Sequence, residues 1–167
     1  QEAIEQLVEE WHQLLPNASI LPVSALMDFN VDKAFDFIHK NLPESPPYFP
    51  KDQLSDKTQR FFVAEIIREK VFQLYKKEVP YASEVKVHAF KEEPQRVYIE
   101  ATVYVARDSQ KGIIIGHKGQ AIKRLGTQAR LDIEAWLDQQ VYLDLQVRVQ
   151  KDWRDKNRDL EQFGYDG

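Results

Sequence analysis

Gly116-His117-Lys118-Gly119 is the stretch of this chain whose residue types and spacing could do chemistry together. Two glycines three apart let the backbone turn without a Cβ in the way, and let another backbone come close. His117 and Lys118 place donors and positive charge at the tip. Ile113-Ile114-Ile115 runs into the turn, and Gln120-Ala121-Ile122-Lys123-Arg124 begins a basic amphipathic helix directly after it. That helix aims its free N–H groups and the positive end of its dipole at the same place. A tight cationic turn at a helix start suits phosphate groups. G-x-x-G alone is a weak signal; the apolar run before it and the basic helix after it sharpen it. In this turn His117 reads as a hydrogen-bond donor and not as a catalyst.

The elements that must position the turn follow from hydrophobic periodicity. Val97, Ile99, Ala101, Val103 and Val105 alternate with Tyr98, Glu100, Thr102 and Tyr104, which predicts a strand with one buried face. Val85, Val87 and Ala89 predict a second strand. Lys91-Glu92-Glu93-Pro94 between them predicts an antiparallel hairpin. A third strand is expected over 141–149. A helix capped by Ser55 or Asp56 is expected to run to about Lys77, with Val63, Ile67, Val71, Leu74 and Tyr75 inward and Pro80 stopping it. A short helix from Asp108 or Ser109 leads to the G-x-x-G. A long helix to Leu137 follows, burying Ile122, Leu125, Ala129, Ile133 and Trp136. A terminal helix is expected over 153–162. Three amphipathic strands need helices on one face only, and the other face can meet water.

Upstream, Ile4, Leu7, Val8, Trp11, Leu14 and Leu15 predict a helix over 2–15. Ser19 to Val23 reads as a short buried strand. Asn30 is expected to cap a helix over 31–41 with Val31, Ala34, Phe35 and Ile38 inward. Pro43, Pro46, Pro47 and Pro50 mark 43–53 as a stiff linker. The reading is therefore α-β-α over 1–42, a linker, and α-β-β-α-α-β plus a terminal helix over 54–167. The chain lacks an initial Met and begins inside a helical pattern, so it reads as a piece of a longer protein.

Composition narrows the chemistry. With 43% apolar and 30% charged residues the chain is globular, and without cysteine it has no disulfide scaffold, Cys-ligated metal or thiol nucleophile. His12, His39 and His88 are scattered at spacings that suit no metal. No Ser/His/Asp arrangement stands out. Net charge is −4, but its distribution is uneven. Residues 1–53 set Lys33, Lys40 and Lys51 against nine carboxylates, whereas residues 107–130 carry six Lys or Arg and only Asp108. An acidic first part and a basic focus around the turn point to two jobs. Tyr98 and Tyr104 share a strand face and could stack on bases or cover apolar surface. The basic helix could likewise be a plain solvated face.

A G-x-x-G between two helices in this element order resembles the type II KH domain, whose loop clamps about four nucleotides. Pro22-Val23-Ser24-Ala25-Leu26 is similar to the fifth guanine-nucleotide motif of Ras-like GTPases. Leu42 to Pro50, then Phe61 to Lys70 and the final Phe163-Gly164-Tyr165, resemble the Era family of bacterial GTPases. The resemblance spans essentially the whole chain. It implies an α+β chain: a type II KH domain with a three-stranded sheet, preceded by an α-β-α remnant of a P-loop GTPase domain. It also implies binding of single-stranded small-subunit ribosomal RNA near its 3′ end, during assembly of the 30S subunit. Carried over by position, Gly116, His117, Lys118 and Gly119 would be the RNA loop. Ile115 and Ile122 would flank the base groove, and Lys123, Arg124 and Arg130 would contact phosphates. Ser24, Ala25 and Leu26 would be the loop that approaches the guanine base.

The departure from the family is the missing G-x-x-x-x-G-K-[ST], together with the missing Asn-Lys-x-Asp and magnesium ligands. No GTP binding or hydrolysis is expected of this chain; GTP and magnesium are implied for the longer parent only. The partners implied are the ribosomal RNA 3′ end, the 30S subunit and the GTPase domain in cis. The family also implies a cytoplasmic location, with peripheral membrane association of the parent as a further option; no apolar run in this chain is long enough to span a membrane. The competing readings are a structural or protein-interaction KH-like domain, a nucleotide hydrolase, or a KH-containing small-subunit ribosomal protein.

Overall fold

In the computed structural model, residues 2–50 and 55–164 are described. The chain separates into two compact units, Gln1–Gln53 and Leu54–Gly167. Lys51 to Gln53 of the expected linker, Leu54, and Tyr165 of the closing motif lie outside the described residues.

In the second unit, α3 (Gln59–Leu74) is followed by the hairpin β1 (Ser83–Glu93) and β2 (Arg96–Val105). Then come α4 (Asp108–Ile115), α5 (Gln120–Leu137), β3 (Val141–Val149) and α6 (Asn157–Gln162). The sheet order is β1-β2-β3, with β1 antiparallel and β3 parallel to the central β2. Alternation in β2 does what the sequence led us to expect: Val97, Ile99, Ala101, Val103 and Val105 are all buried. They pack on Val63, Ile67 and Val71 of α3 and on Leu125, Ala129 and Ile133 of α5. This single core fixes α5, and so the turn at its start.

Several expectations are corrected. Helix α3 starts at Gln59, because Ser55 turns the chain locally by accepting a bond from the Lys57 N–H at 3.0 Å, and Thr58 takes the cap position. It stops at Leu74, well before Pro80, with Tyr75 extended and Lys77 left-handed at φ 59°. Strand β1 shifts register between Val87 and Ala89, so its alternation breaks at His88. The terminal helix is split: a 3-10 turn over Trp153–Asp155, extended backbone at Lys156, then α6. The outer sheet face is not wholly open. Trp153 and Phe163 pack edge to face, Phe163 lies 5.1 Å from the Tyr104 ring, and the Trp153 indole donates to the Ala82 carbonyl. Tyr104 thus covers apolar surface. Trp136, expected in the core, is 43% exposed and packs against Phe62.

The first unit holds α1 (Glu2–Leu14) and α2 (Val31–Asn41). The expected strand over 19–23 does not form; only an isolated bridge joins Ser24 and Phe29. A strand needs a neighbouring strand to pair its N–H and C=O groups, and among the described residues none pairs with this one. For the same reason the apolar stripes stay open: Ile4, Leu7, Trp11 and Leu14 of α1, and Val31, Phe35 and Ile38 of α2, are exposed. Asn30 sits at the cap position of α2 in left-handed conformation, but its side chain donates to the Pro22 carbonyl instead of capping the helix.

Candidate nucleic-acid interface

The turn is built from both sides. Helix α4 opens with the Arg107 N–H donating to the Gln110 side chain at 3.0 Å. At its other end the Ile114 carbonyl, one of the last four that a helix leaves without a partner, accepts the Tyr75 hydroxyl at 2.9 Å. Burial pushes the Tyr75 hydroxyl up to about 12, with nearby Arg124 pulling the other way. Tyr75 closes α3, so it ties the end of one helix to the base of the loop.

The chain then leaves α4 through Gly116, at φ 70° and ψ 179°, a region open essentially to glycine alone. His117 and Lys118 are exposed, and Lys118 is held left-handed at φ 50°. Gly119, left-handed at φ 76°, starts α5. The two glycines bracket a cationic tip at the N-terminus of an 18-residue helix.

Beside the turn runs a groove of about 380 Å³ between α5 and β3. Ile122, Lys123, Gly126 and Arg130 line the helix side; Tyr142, Leu143, Asp144 and Leu145 line the strand side. Helix and strand run antiparallel. A Cβ on Gly126 would lie 3.8 Å from Leu145, and the Val141 N–H donates to the Glu134 carboxylate at 2.9 Å. Strand β3 is an edge, so the backbone groups on its free side have no neighbouring strand.

The residues singled out in sequence fall as follows. Gly116, His117, Lys118 and Gly119 form one turn, and Ile122 and Lys123 line the groove beside it. Ile115 is half-buried at the end of α4, where it packs on the core. Arg124 is exposed on α5 next to a shallow hollow with Gln120, Lys123 and Thr127. Arg130 lines the groove but is already held by Glu134 at 2.6 Å. Sequence reading missed the strand wall and Gly126. A glycine inside a helix costs about 1 kcal/mol against alanine, so Gly126 stood out in the sequence as a departure from helix propensity. Ser24, Ala25 and Leu26 lie in the first unit, in a tight loop closed by paired Ser24 and Phe29 backbone bonds; Leu26 is 94% exposed. Among the described residues no group of His, Asp or Glu side chains could hold a metal ion.

Residues 78–154 match the KH domain family. A GTPase Era of Staphylococcus haemolyticus is 47% identical over 165 residues, which is 98% of this chain and 55% of that protein. The chain thus spans about half the length of the curated relative it matches. Among solved structures, Era of Aquifex aeolicus bound to GDP and aluminium fluoride superposes with TM-score 0.83 at 40% identity, covering 96% of this chain and 55% of that one. A structure of Era with MgGDPNP and nucleotides 1506–1542 of 16S ribosomal RNA superposes with TM-score 0.85 at 39% identity, covering 98% and 56%.

Proposed function

The chain belongs to the Era family, as the counterpart of the C-terminal part of its members, and from that footing we propose that it is an RNA-binding module. It takes single-stranded small-subunit ribosomal RNA near the 3′ end. The observation that carries this reading is the cationic tip held between Gly116 and Gly119 at the start of α5, whose first turn supplies Ile122 and Lys123 to the groove between α5 and β3. The relative solved with 16S ribosomal RNA supports the choice of ligand.

In this mechanism the RNA backbone enters at the turn. The N–H groups at the start of α5 and the Lys118 ammonium meet phosphate oxygens. Lys123 and Arg124 continue the phosphate track on the helix, and Ile122 gives apolar floor to a base. The exposed N–H and C=O groups of β3 can bond base edges. Arg130 is paired with Glu134 and reaches phosphate only by giving up that partner, so the track rests on Lys118, Lys123 and Arg124. Ile115 supports the loop from the core.

The same proposal places the chain in a longer GTPase acting in assembly of the 30S subunit in the cytoplasm. GTP and magnesium would be held by that parent, with the Ser24-Ala25-Leu26 loop approaching the guanine base. The residues present here do not fit those groups, since the chain has no G-x-x-x-x-G-K-[ST]. Among the described residues no helix is long and apolar enough to cross a membrane. Peripheral membrane contact of the parent belongs to the same family expectation, tested by fractionating cells that carry the full-length protein.

Fluorescence anisotropy with a short RNA copied from that 3′ end, beside a scrambled RNA, tests the RNA reading. Preferential binding of the true sequence is expected. His117→Asp with Lys118→Asp should abolish it while leaving the circular dichroism spectrum unchanged, because both side chains are exposed loop-tip groups. Unchanged binding by the double variant would remove the turn from the interface.

A further inference from the structure

The Tyr75 side chain is buried, and its hydroxyl donates to the Ile114 carbonyl at 2.9 Å, a buried bond between residues 39 apart in sequence. Packing alone does not call for that hydroxyl. Phenylalanine would fill the same space with no polar group to take out of water. Ile114 is fully buried, so its carbonyl has no solvent to turn to in place of Tyr75. Helix α4 ends directly after it. The Gly116 N–H donates back to the Gly112 carbonyl at 2.9 Å, and from Gly116 onward the chain leaves the helix for the turn. Fixing the Ile114 carbonyl therefore fixes the last peptide planes before Gly116, and with them the direction in which His117 and Lys118 are carried. The bond also acts on charge. A helix C-terminus is the negative end of a dipole, and α4 presents that end to the same turn at which α5 presents its positive end. A hydroxyl donated to one of the last carbonyls offsets part of the negative end. Arg124 acts on the same hydroxyl from α5, so Tyr75 borders both the base of the loop and the helix that follows it.

We propose that Tyr75 is a positioning residue for RNA: by holding the Ile114 carbonyl, its hydroxyl sets the exit of the chain from α4 and so keeps Lys118 and the first N–H groups of α5 on phosphate. This rests on the RNA reading above. Tyr75 itself is buried and touches no nucleotide; it acts through the turn. Without the hydroxyl the buried carbonyl lacks its donor, and the last turn of α4 gains by shifting towards one. The exposed tip moves with it, because Gly116 joins the two with no side chain to brace the backbone. A clamp that meets phosphates with fixed backbone donors loses affinity when those donors must first be ordered.

The test is a double-mutant cycle on binding of the 3′-end RNA, read by anisotropy over a salt series. Tyr75→Phe keeps the ring and removes only the hydroxyl. It should weaken binding about five-fold, as expected for one lost hydrogen bond, with the circular dichroism spectrum unchanged. The plot of log affinity against log salt should become shallower by about 0.7, the share of one phosphate contact to a single strand. Lys118→Gln should do the same to the slope. Both together should cost clearly less than the product of the two losses, since the hydroxyl acts through the residue already removed. Ile67→Val trims the same core from the middle of α3, away from the turn, and should leave affinity and slope as they were. Unchanged binding by Tyr75→Phe would overturn the proposal, as would losses that simply multiply with an unaltered slope. So would an equal loss in Ile67→Val, or a Tyr75→Phe chain that no longer folds, because either would make the hydroxyl a plain contact of the fold. The RNA reading fails separately: the unaltered chain would bind no RNA, or would bind it equally after His117→Asp and Lys118→Asp, and the positioning role would fall with it.

Discussion

The two glycines of the turn are not equivalent. At Gly116 the backbone conformation is one that residues with a Cβ avoid, and an added Cβ would stand 2.5 Å from the Ala121 Cβ. At Gly119 the conformation is left-handed but the space is open. Gly119→Ala should therefore cost about 1 kcal/mol, the left-handed penalty alone. Gly116→Ala should cost about 2–3 kcal/mol, because strain and overlap both act. Urea titration of both variants checks the order; equal losses would mean that Ala121 yields freely. The Tyr75 hydroxyl gives a second prediction, in pH. Its folded pKa of about 12 stands above the ordinary 10 of a free tyrosine. Below pH 10 both states keep the proton and the contribution is constant. Between pH 10 and 12 the unfolded chain releases its proton first, so stability falls as pH rises, by about 2–3 kcal/mol at most. Tyr75→Phe should flatten that part of the stability curve; an unaltered alkaline slope would show the hydroxyl free to ionise in the fold.

Helix α5 carries a conflict between its own stability and its groove. Gly126 lies in the helix interior with no positive φ, and a methyl there meets only ordinary contact with Leu145. Gly126→Ala should raise stability by about 0.5–1 kcal/mol through propensity alone. The same methyl narrows the groove, so RNA affinity should fall while the melting temperature rises. A rise in both would place the RNA elsewhere. At this scale the limits of the sequence are physical. The core was legible because alternation in β2 and the three-to-four spacing in α5 need no knowledge of neighbours. The turn was legible because its residues are consecutive. The strand wall was not, because Gly126 and Leu145 meet only through the antiparallel return of β3. The engagement of Arg130 was readable and overlooked, since Glu134 stands four residues on along the same helix. The stretch over 19–23 shows the opposite error. Its residues carry strand propensity, but propensity without a partner strand builds no ladder.

For the whole molecule, a net charge of −4 does not set how RNA binding responds to salt; the number of phosphates neutralised does. The turn and the start of α5 offer Lys118, Lys123 and Arg124, all exposed, while Arg130 is spent on Glu134. Three phosphate contacts to a single strand predict that log affinity falls against log salt with a slope of about −2. Lys123→Gln should make the slope shallower by about 0.7 and weaken every RNA by a similar factor. A slope of about −5 across the range would instead need basic residues far from the turn, and would make the chain a general polyanion binder. A slope near zero with retained sequence preference would leave the base contacts of the groove, and not the cationic tip, as the source of affinity.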